Sequence, residues 1–162
     1  MGKEIERKFL VKQEGWRMNA ERARYRQGYL SLDEARTVRV RTVSQAATGQ
    51  EQGYLTIKGK TVGAGRAEYE YEIPIGDAQE LLDTLCRRPL IEKFRYRVPQ
   101  GELTWEIDEF LGENAGLIVA EIELEEADQL FERPDWVGEE VTDDPRYSNA
   151  SLVQHPYARW LT

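Results

Sequence analysis

Histidine and cysteine are nearly missing from this sequence: His155 and Cys86 are the only ones in 162 residues. One cysteine excludes an intrachain disulfide and makes the cytoplasm the default compartment. One histidine argues against a Ser-His-Asp triad and against a His-rich zinc site. Also missing is any apolar run near the roughly 18 residues of a membrane helix, and charge from Lys3 onward leaves no secretory h-region. The net charge is −8, so neither a nucleic-acid backbone nor a membrane is an expected partner. The glycine-containing stretch "KGKTVGAG" (58–65) does not fit a P-loop. With no repeat, linker or low-complexity block, residues 1–162 read as one domain.

What the sequence has in abundance is alternation. Period-two patterns run through residues 3–11, "RYRQGYLSL" (24–32), "TVRVRTV" (37–43), "GYLTIKGK" (53–60), "AEYEYEIPI" (67–75), "IEKFRYRVP" (91–99), "ELTWEIDEF" (102–110) and "GLIVAEIELE" (116–125). These predict eight strands joined by short turns. "GDAQELLDTLCR" (76–87) predicts a helix capped by Asp77, with Leu81, Leu82 and Leu85 on one stripe. Shorter helices are expected near 14–23 and 146–154, and an irregular acidic connection over 134–147.

One face of these strands is largely apolar: Ile5, Phe9, Val40, Leu55, Tyr69, Tyr71, Tyr96, Trp105, Ile107 and Ile122. The other face is almost wholly ionic. It carries Glu4, Glu6 and Lys8, then Arg39 and Arg41, Lys58, and Glu68, Glu70 and Glu72. Lys93, Arg95 and Arg97, Glu106 and Asp108, and Glu121 and Glu123 complete it. A solvated sheet face is the ordinary explanation for such a pattern, but it usually mixes in neutral polar residues. Here the signs are segregated by strand. Eight strands can close into a barrel that encloses side chains or a small ligand, and an ionic interior must then be balanced by water, metal ions and an anion.

Arginine and lysine converging from several strands form a polyanion site. Carboxylates beside a phosphate repel it unless a divalent cation intervenes, and hard oxygen donors select Mg²⁺ or Mn²⁺. Glu residues at i and i+2 of a strand point the same way, which makes Glu4/Glu6 and Glu121/Glu123 two carboxylate pairs. Together the signs suggest metal-assisted phosphoryl chemistry.

"EIERK" (4–8) resembles the E-x-E-x-K signature of the CYTH proteins, or triphosphate tunnel metalloenzymes. The resemblance continues in order through "RQGYLS", "TVRVR", "LTIKGK", "EYEYEI", "EKFRYR", "WEIDEF", "LIVAEIELE" and "VTDDPRYSNASL", covering almost the whole chain. It implies a mainly β (α+β) fold: a closed eight-stranded antiparallel barrel, the triphosphate tunnel, with a few flanking helices. It further implies metal-dependent hydrolysis of a triphosphate, most simply inorganic tripolyphosphate to pyrophosphate and phosphate, because the short chain leaves no room for a base-recognition domain. By the same resemblance Glu4, Glu6, Asp108, Glu121 and Glu123 are the metal positions. Lys8, Arg39, Arg41, Lys58, Lys93 and Arg95 are the triphosphate positions. Tyr29 of "QGYL" sits where some members are thought to use a tyrosine as general base. A phenol resists deprotonation at neutral pH, and a metal-activated water is the competing candidate.

An adenylyl cyclase of class IV type and a thiamine triphosphatase are alternatives on the same tunnel, the second requiring an aromatic platform such as Trp16 or Trp136 at a mouth. A non-catalytic polyphosphate-binding module is the remaining one. The sequence leaves room for a homodimer. Arg97, Glu68 and Glu72 are expected to balance charge in the wall, with Glu70 undecided between wall and site. The tryptophans with Tyr69, Tyr71 and Tyr96 should serve packing, and His155 and Cys86 structure.

Overall fold

The computed structural model describes residues 2–63 and 65–160. Nine strands form: β1 (Gly2–Val11), β2 (Glu21–Ser31), β3 (Arg36–Gln45), β4 (Glu51–Gly59), β5 (Gly65–Ile73), β6 (Ile91–Gln100), β7 (Leu103–Phe110), β8 (Ile118–Glu123) and β9 (Val137–Glu140). Two helices, α1 (Ile75–Thr84) and α2 (Asn149–Gln154), accompany them. The sheet order is β5-β4-β3-β2-β6-β7-β8-β1, and β1 pairs back to β5, closing an eight-stranded antiparallel barrel.

The alternation in the sequence becomes inside and outside. Along β1, Ile5 and Phe9 join an outer apolar core with Trp105, Ile107 and Ile122, while Glu4, Glu6 and Lys8 line the interior. This reverses the usual arrangement of a small barrel, whose centre is apolar. The apolar layer is sealed from outside by residues 12–20 and 124–137. Trp16 packs edge-on against Tyr96 at 4.9 Å, and Trp136 against Trp105 at 5.3 Å. Burying each such aliphatic or aromatic side chain stabilises the fold by roughly 1.5–3 kcal/mol. A second apolar group fills one end of the barrel, where inward-facing Ile91, Phe110 and Val119 meet Val141, Tyr147, Leu152 and Val153 of the C-terminal segment.

Helix α1 lies across the outside of β3 and β4 on Ala78 and Leu82, packed with Val40 and Cys86. It fits because a Cβ at Gly53 would come within 2.7 Å of the Ala78 Cβ, and one at Gly28 within 2.7 Å of the Cys86 Cβ. The helix ends earlier than the expected 76–87, with Leu85 as its C-cap and 65% exposed. Asp77 lies in the first turn, and Pro74 takes the cap position without a side-chain cap bond.

Other expectations are corrected. Residues 14–23 form only a 3₁₀ turn over Gly15–Asn19, because β2 already begins at Glu21. The stretch expected to be irregular contains β9, which pairs with β1 at Phe9 and Val11. Tyr69 and Tyr71 are not core residues, since they stand exposed on the outer face of β5, Tyr71 at 56%. The edge of β1 is therefore shared: residues 2–5 pair with β5, and Phe9 and Val11 with β9, while β8 holds the opposite edge through residues 6–10.

Candidate active site

The barrel encloses an ionic cavity of about 580 Å³. Antiparallel register sets what meets inside it, because directly opposed residues point the same way. Across β1 and β8, Glu6 opposes Glu123 and Lys8 opposes Glu121. Across β7 and β8, Glu106 opposes Glu121. Like charges in opposed positions destabilise a sheet, and the carboxyls respond to it. Burial and then the neighbouring Glu6 push the Glu121 carboxyl up to about 7. Burial and then Glu4, Glu68 and Glu106 raise that of Glu123. Lys8 answers them: burial opposes its charge, but Glu121, Glu6 and Glu4 together raise its pKa. Its nearest ion pair, to Glu6, is long at 3.9 Å.

Facing these acids is a basic group. Arg39 and Arg41 come from β3 and Lys58 from β4. Glu70 lies 3.1 Å from Arg41 and 3.6 Å from Arg39, and accepts a hydrogen bond from the Thr56 hydroxyl at 2.8 Å. The Nε atoms of Arg39 and Arg41 are buried with no acceptor among the described residues. Burial and then the charges of Arg39 and Arg95 pull the Arg41 pKa down to about 10. Lys58 donates to both oxygens of Glu4, at 2.9 and 3.0 Å. A multiply charged anion fits here, since it would satisfy the orphaned donors and relieve the crowding of cations.

Tyr29 is buried, lines the same cavity and opposes Arg39 across β2 and β3. Lys93 and Asp108 depart from expectation. Both are 1% exposed and lie behind the cavity wall, with Lys93 Nζ donating to Asp108 Oδ2 at 2.6 Å. Arg95 takes both Asp108 oxygens, at 2.7 and 2.9 Å. Burial acts to raise the Asp108 carboxyl, but Arg95 and Lys93 outweigh it and hold it well below the usual range. Both Asp108 oxygens are thus engaged by cations of the wall, and the Lys93 ammonium also reaches Asn149. Arg95 itself stays on the cavity wall.

Two of the three residues expected to balance charge form ion pairs. Arg97 pairs with Glu106 at 3.2 Å and Glu68 with Lys58 at 3.5 Å. Glu70 serves both arginines, and Glu72 lies off the cavity. Trp16 and Trp136 are buried in the outer core and offer no platform at a mouth.

Several lining residues escaped the sequence reading. On β2 the rule of charge facing inward is inverted: Tyr25 joins the expected Tyr29 on the cavity wall and Gln27 is buried, while Arg22 and Arg24 are exposed outside. Their placement follows from alternation, but no charge marked them. Lys60, Thr61 and Arg66 contribute beside the β4–β5 turn, and Asp143, Asp144, Ser148 and Asn149 from the C-terminal segment.

The carboxylates also bear on a metal. Among the described residues, no three histidine, cysteine or acidic side chains are gathered into a cage. Yet Glu6, Glu121 and Glu123 are hard oxygen donors on two paired strands, and their raised or crowded carboxyls signal missing positive charge. Donor chemistry of that kind fits a divalent cation.

Comparison with known proteins agrees with this geometry. Residues 2–157 match the CYTH domain model. The chain is 52% identical over 157 residues to an inorganic triphosphatase of Acetivibrio thermocellus, covering 97% of each. It is 36% identical over 155 residues to an inorganic triphosphatase of Nitrosomonas europaea, covering 93% of this chain and 96% of the relative. A crystal structure of an inorganic triphosphatase matches with a TM-score of 0.61 at 32% identity, covering 92% of this chain and 96% of the other. The ionic tunnel and the ordered motifs have one common source: this chain belongs to the CYTH domain family.

Proposed function

We propose that this protein is a divalent-metal-dependent hydrolase that splits inorganic tripolyphosphate into pyrophosphate and phosphate. The observation that carries the reading is the opposition of two charge groups within one cavity, crowded carboxylates on β1 and β8 and incompletely paired arginines on β3. Glu6, Glu121 and Glu123, with Glu4 once Lys58 turns to substrate, would hold Mg²⁺ or Mn²⁺. Such a cation screens the phosphates from the acidic wall and polarises their oxygens. Arg39, Arg41, Lys58 and Arg95 bind the phosphate chain and neutralise charge that builds on the leaving pyrophosphate. Lys8 sits among the acids and fixes their orientation. Tyr29, on the cavity wall, takes the proton of the attacking water in this reading. Asp108 and Lys93 support Arg95 from behind the wall rather than touching metal or substrate.

The inorganic substrate is favoured because the tryptophans that could stack on a base or a thiamine ring are buried elsewhere. The test incubates the purified protein with Mg²⁺ or Mn²⁺ and tripolyphosphate, ATP or thiamine triphosphate, and measures phosphate, pyrophosphate and cyclic AMP. Phosphate and pyrophosphate from tripolyphosphate are the expected products. Cyclic AMP from ATP, or faster turnover of either organic triphosphate, would displace the reading. In thermal melting, Arg41→Ala should keep its stability without ligand but lose most of the stabilisation by tripolyphosphate and Mg²⁺. One charge-assisted hydrogen bond is worth roughly 1.5–3 kcal/mol, so affinity should fall about ten- to a hundredfold.

A further inference from the structure

We propose that Tyr25 is a positioning residue that holds the cations of two tunnel walls together with an uncharged aromatic ring. The inference rests on the triphosphatase reading and adds a residue to its site. The Tyr25 ring centroid lies 5.0 Å from the Arg41 guanidinium carbon, 4.9 Å from that of Arg95 and 5.9 Å from the Lys93 ammonium. Arg41 belongs to β3 and the other two to β6, and β2 runs between those strands. Tyr25 is thus the side chain at which the two basic groups meet.

Each group has its own carboxylate. Glu70 serves Arg41 at 3.1 Å, and Asp108 serves Lys93 and Arg95 at 2.6 and 2.7 Å. Among the described residues no carboxylate pairs with both Arg41 and Arg95, although the two repel strongly enough to help lower the Arg41 pKa. A ring attracts cations through the negative charge of its faces, within about 6 Å of the centroid. It carries no net charge, so it neither repels an arriving phosphate nor competes for the outward donors. A carboxylate in its place would hold the arginines together more tightly and oppose the substrate they are there to bind. Tyr25 also touches an apolar group of Ala23 and Val43, which fixes the ring in place.

The test separates the charge of the ring from its bulk. Tyr25→Phe is compared with the same position carrying pentafluorophenylalanine, a ring of similar size whose faces have lost their negative charge. Calorimetric titration with tripolyphosphate in Mg²⁺, and steady-state kinetics, are measured on both. The fluorinated protein should bind about tenfold more weakly than Tyr25→Phe, with a matching rise in KM and less than about a threefold change in kcat. Val43→Ala trims the same apolar group without touching a cation, so it should lower the melting temperature and leave the affinity in place. Equal affinity of the two ring variants would overturn the proposal, as would Val43→Ala losing as much affinity as the fluorinated protein. Wild-type protein that neither binds nor hydrolyses tripolyphosphate would overturn the triphosphatase reading itself.

Discussion

Lys93 with Asp108, and Lys8 with Glu121, are each a lysine and an acid brought together by paired inward-facing strands, yet they have opposite fates. The Lys93 couple is 1% exposed, closed by a 2.6 Å bond and backed by Arg95. The Lys8 couple borders the cavity: among the described residues the Lys8 ammonium makes one long ion pair, to Glu6, and Glu121 is forced up to about 7. In one place the acid is fully paired and the barrel is held, even though burial pulls the Lys93 ammonium down to about 8. In the other, charge is left wanting a ligand. Inward-facing charge therefore divides into structural and functional groups by whether its partners are already complete.

The sharpest way to break this contrast is to open the closed cluster. Asp108→Asn leaves Lys93 and Arg95 buried without their acid, which should cost about 3–5 kcal/mol and lower the melting temperature by roughly 6–20 °C. Glu123→Gln should do the reverse in a melting experiment, leaving the metal-free protein as stable or slightly more so. Its steady-state turnover of tripolyphosphate in Mg²⁺ should drop on the order of 10²-fold. A destabilised Glu123→Gln with normal activity would erase the distinction. Tyr29→Phe tests the proton's destination within the open group: turnover should fall on the order of 10²-fold with KM little changed.

The smallest effect is on pH. Because the Glu121 pKa is raised on folding, the folded state keeps a proton that the unfolded chain has released. Its contribution to stability is complete below the ordinary carboxylate range and is lost as pH rises through about 7. Asp108, whose pKa is lowered, contributes above its unfolded value and loses that contribution only in strong acid. Metal-free melting followed between about pH 5 and 8 should therefore decline by a few degrees, and Glu121→Gln should flatten the decline. An unchanged slope in that variant would assign the decline to other groups.

Much of this was legible in the sequence, for a physical reason. Period-two patterning assigns faces directly, so the eight strands, their ionic face and the Glu4/Glu6 and Glu121/Glu123 pairs followed from counting residues, while closure into a barrel was implied by the family resemblance. What stayed hidden depended on partners. Nothing local separates Asp108 from Glu106, which is two residues away on the same face, yet one is sealed by Arg95 and Lys93 and the other stays on the cavity wall. Strand β9 is too short to show a period. Tyr25 and Gln27 carry no charge, so no ionic stripe marks the inward face of the strand that contributes them.

The shared edge of β1 also governs when the site can exist. Residues 6–11 meet β8 and β9 only after almost the whole chain has been laid down, as the Arg7–Glu140 and Lys8–Thr142 bonds span 133 and 134 positions. Such distant pairings are paid for in loop-closure entropy before they return any contact, and they place a barrel among the slow folders, on the order of milliseconds to seconds. Closure of β1 onto β8 and the assembly of Glu6 with Glu123 are one event. The hairpins from β2 to β7 can form earlier, exposing basic and apolar residues while the acidic wall is still missing. Assembly of the carboxylate group is thereby tied to closure of the barrel.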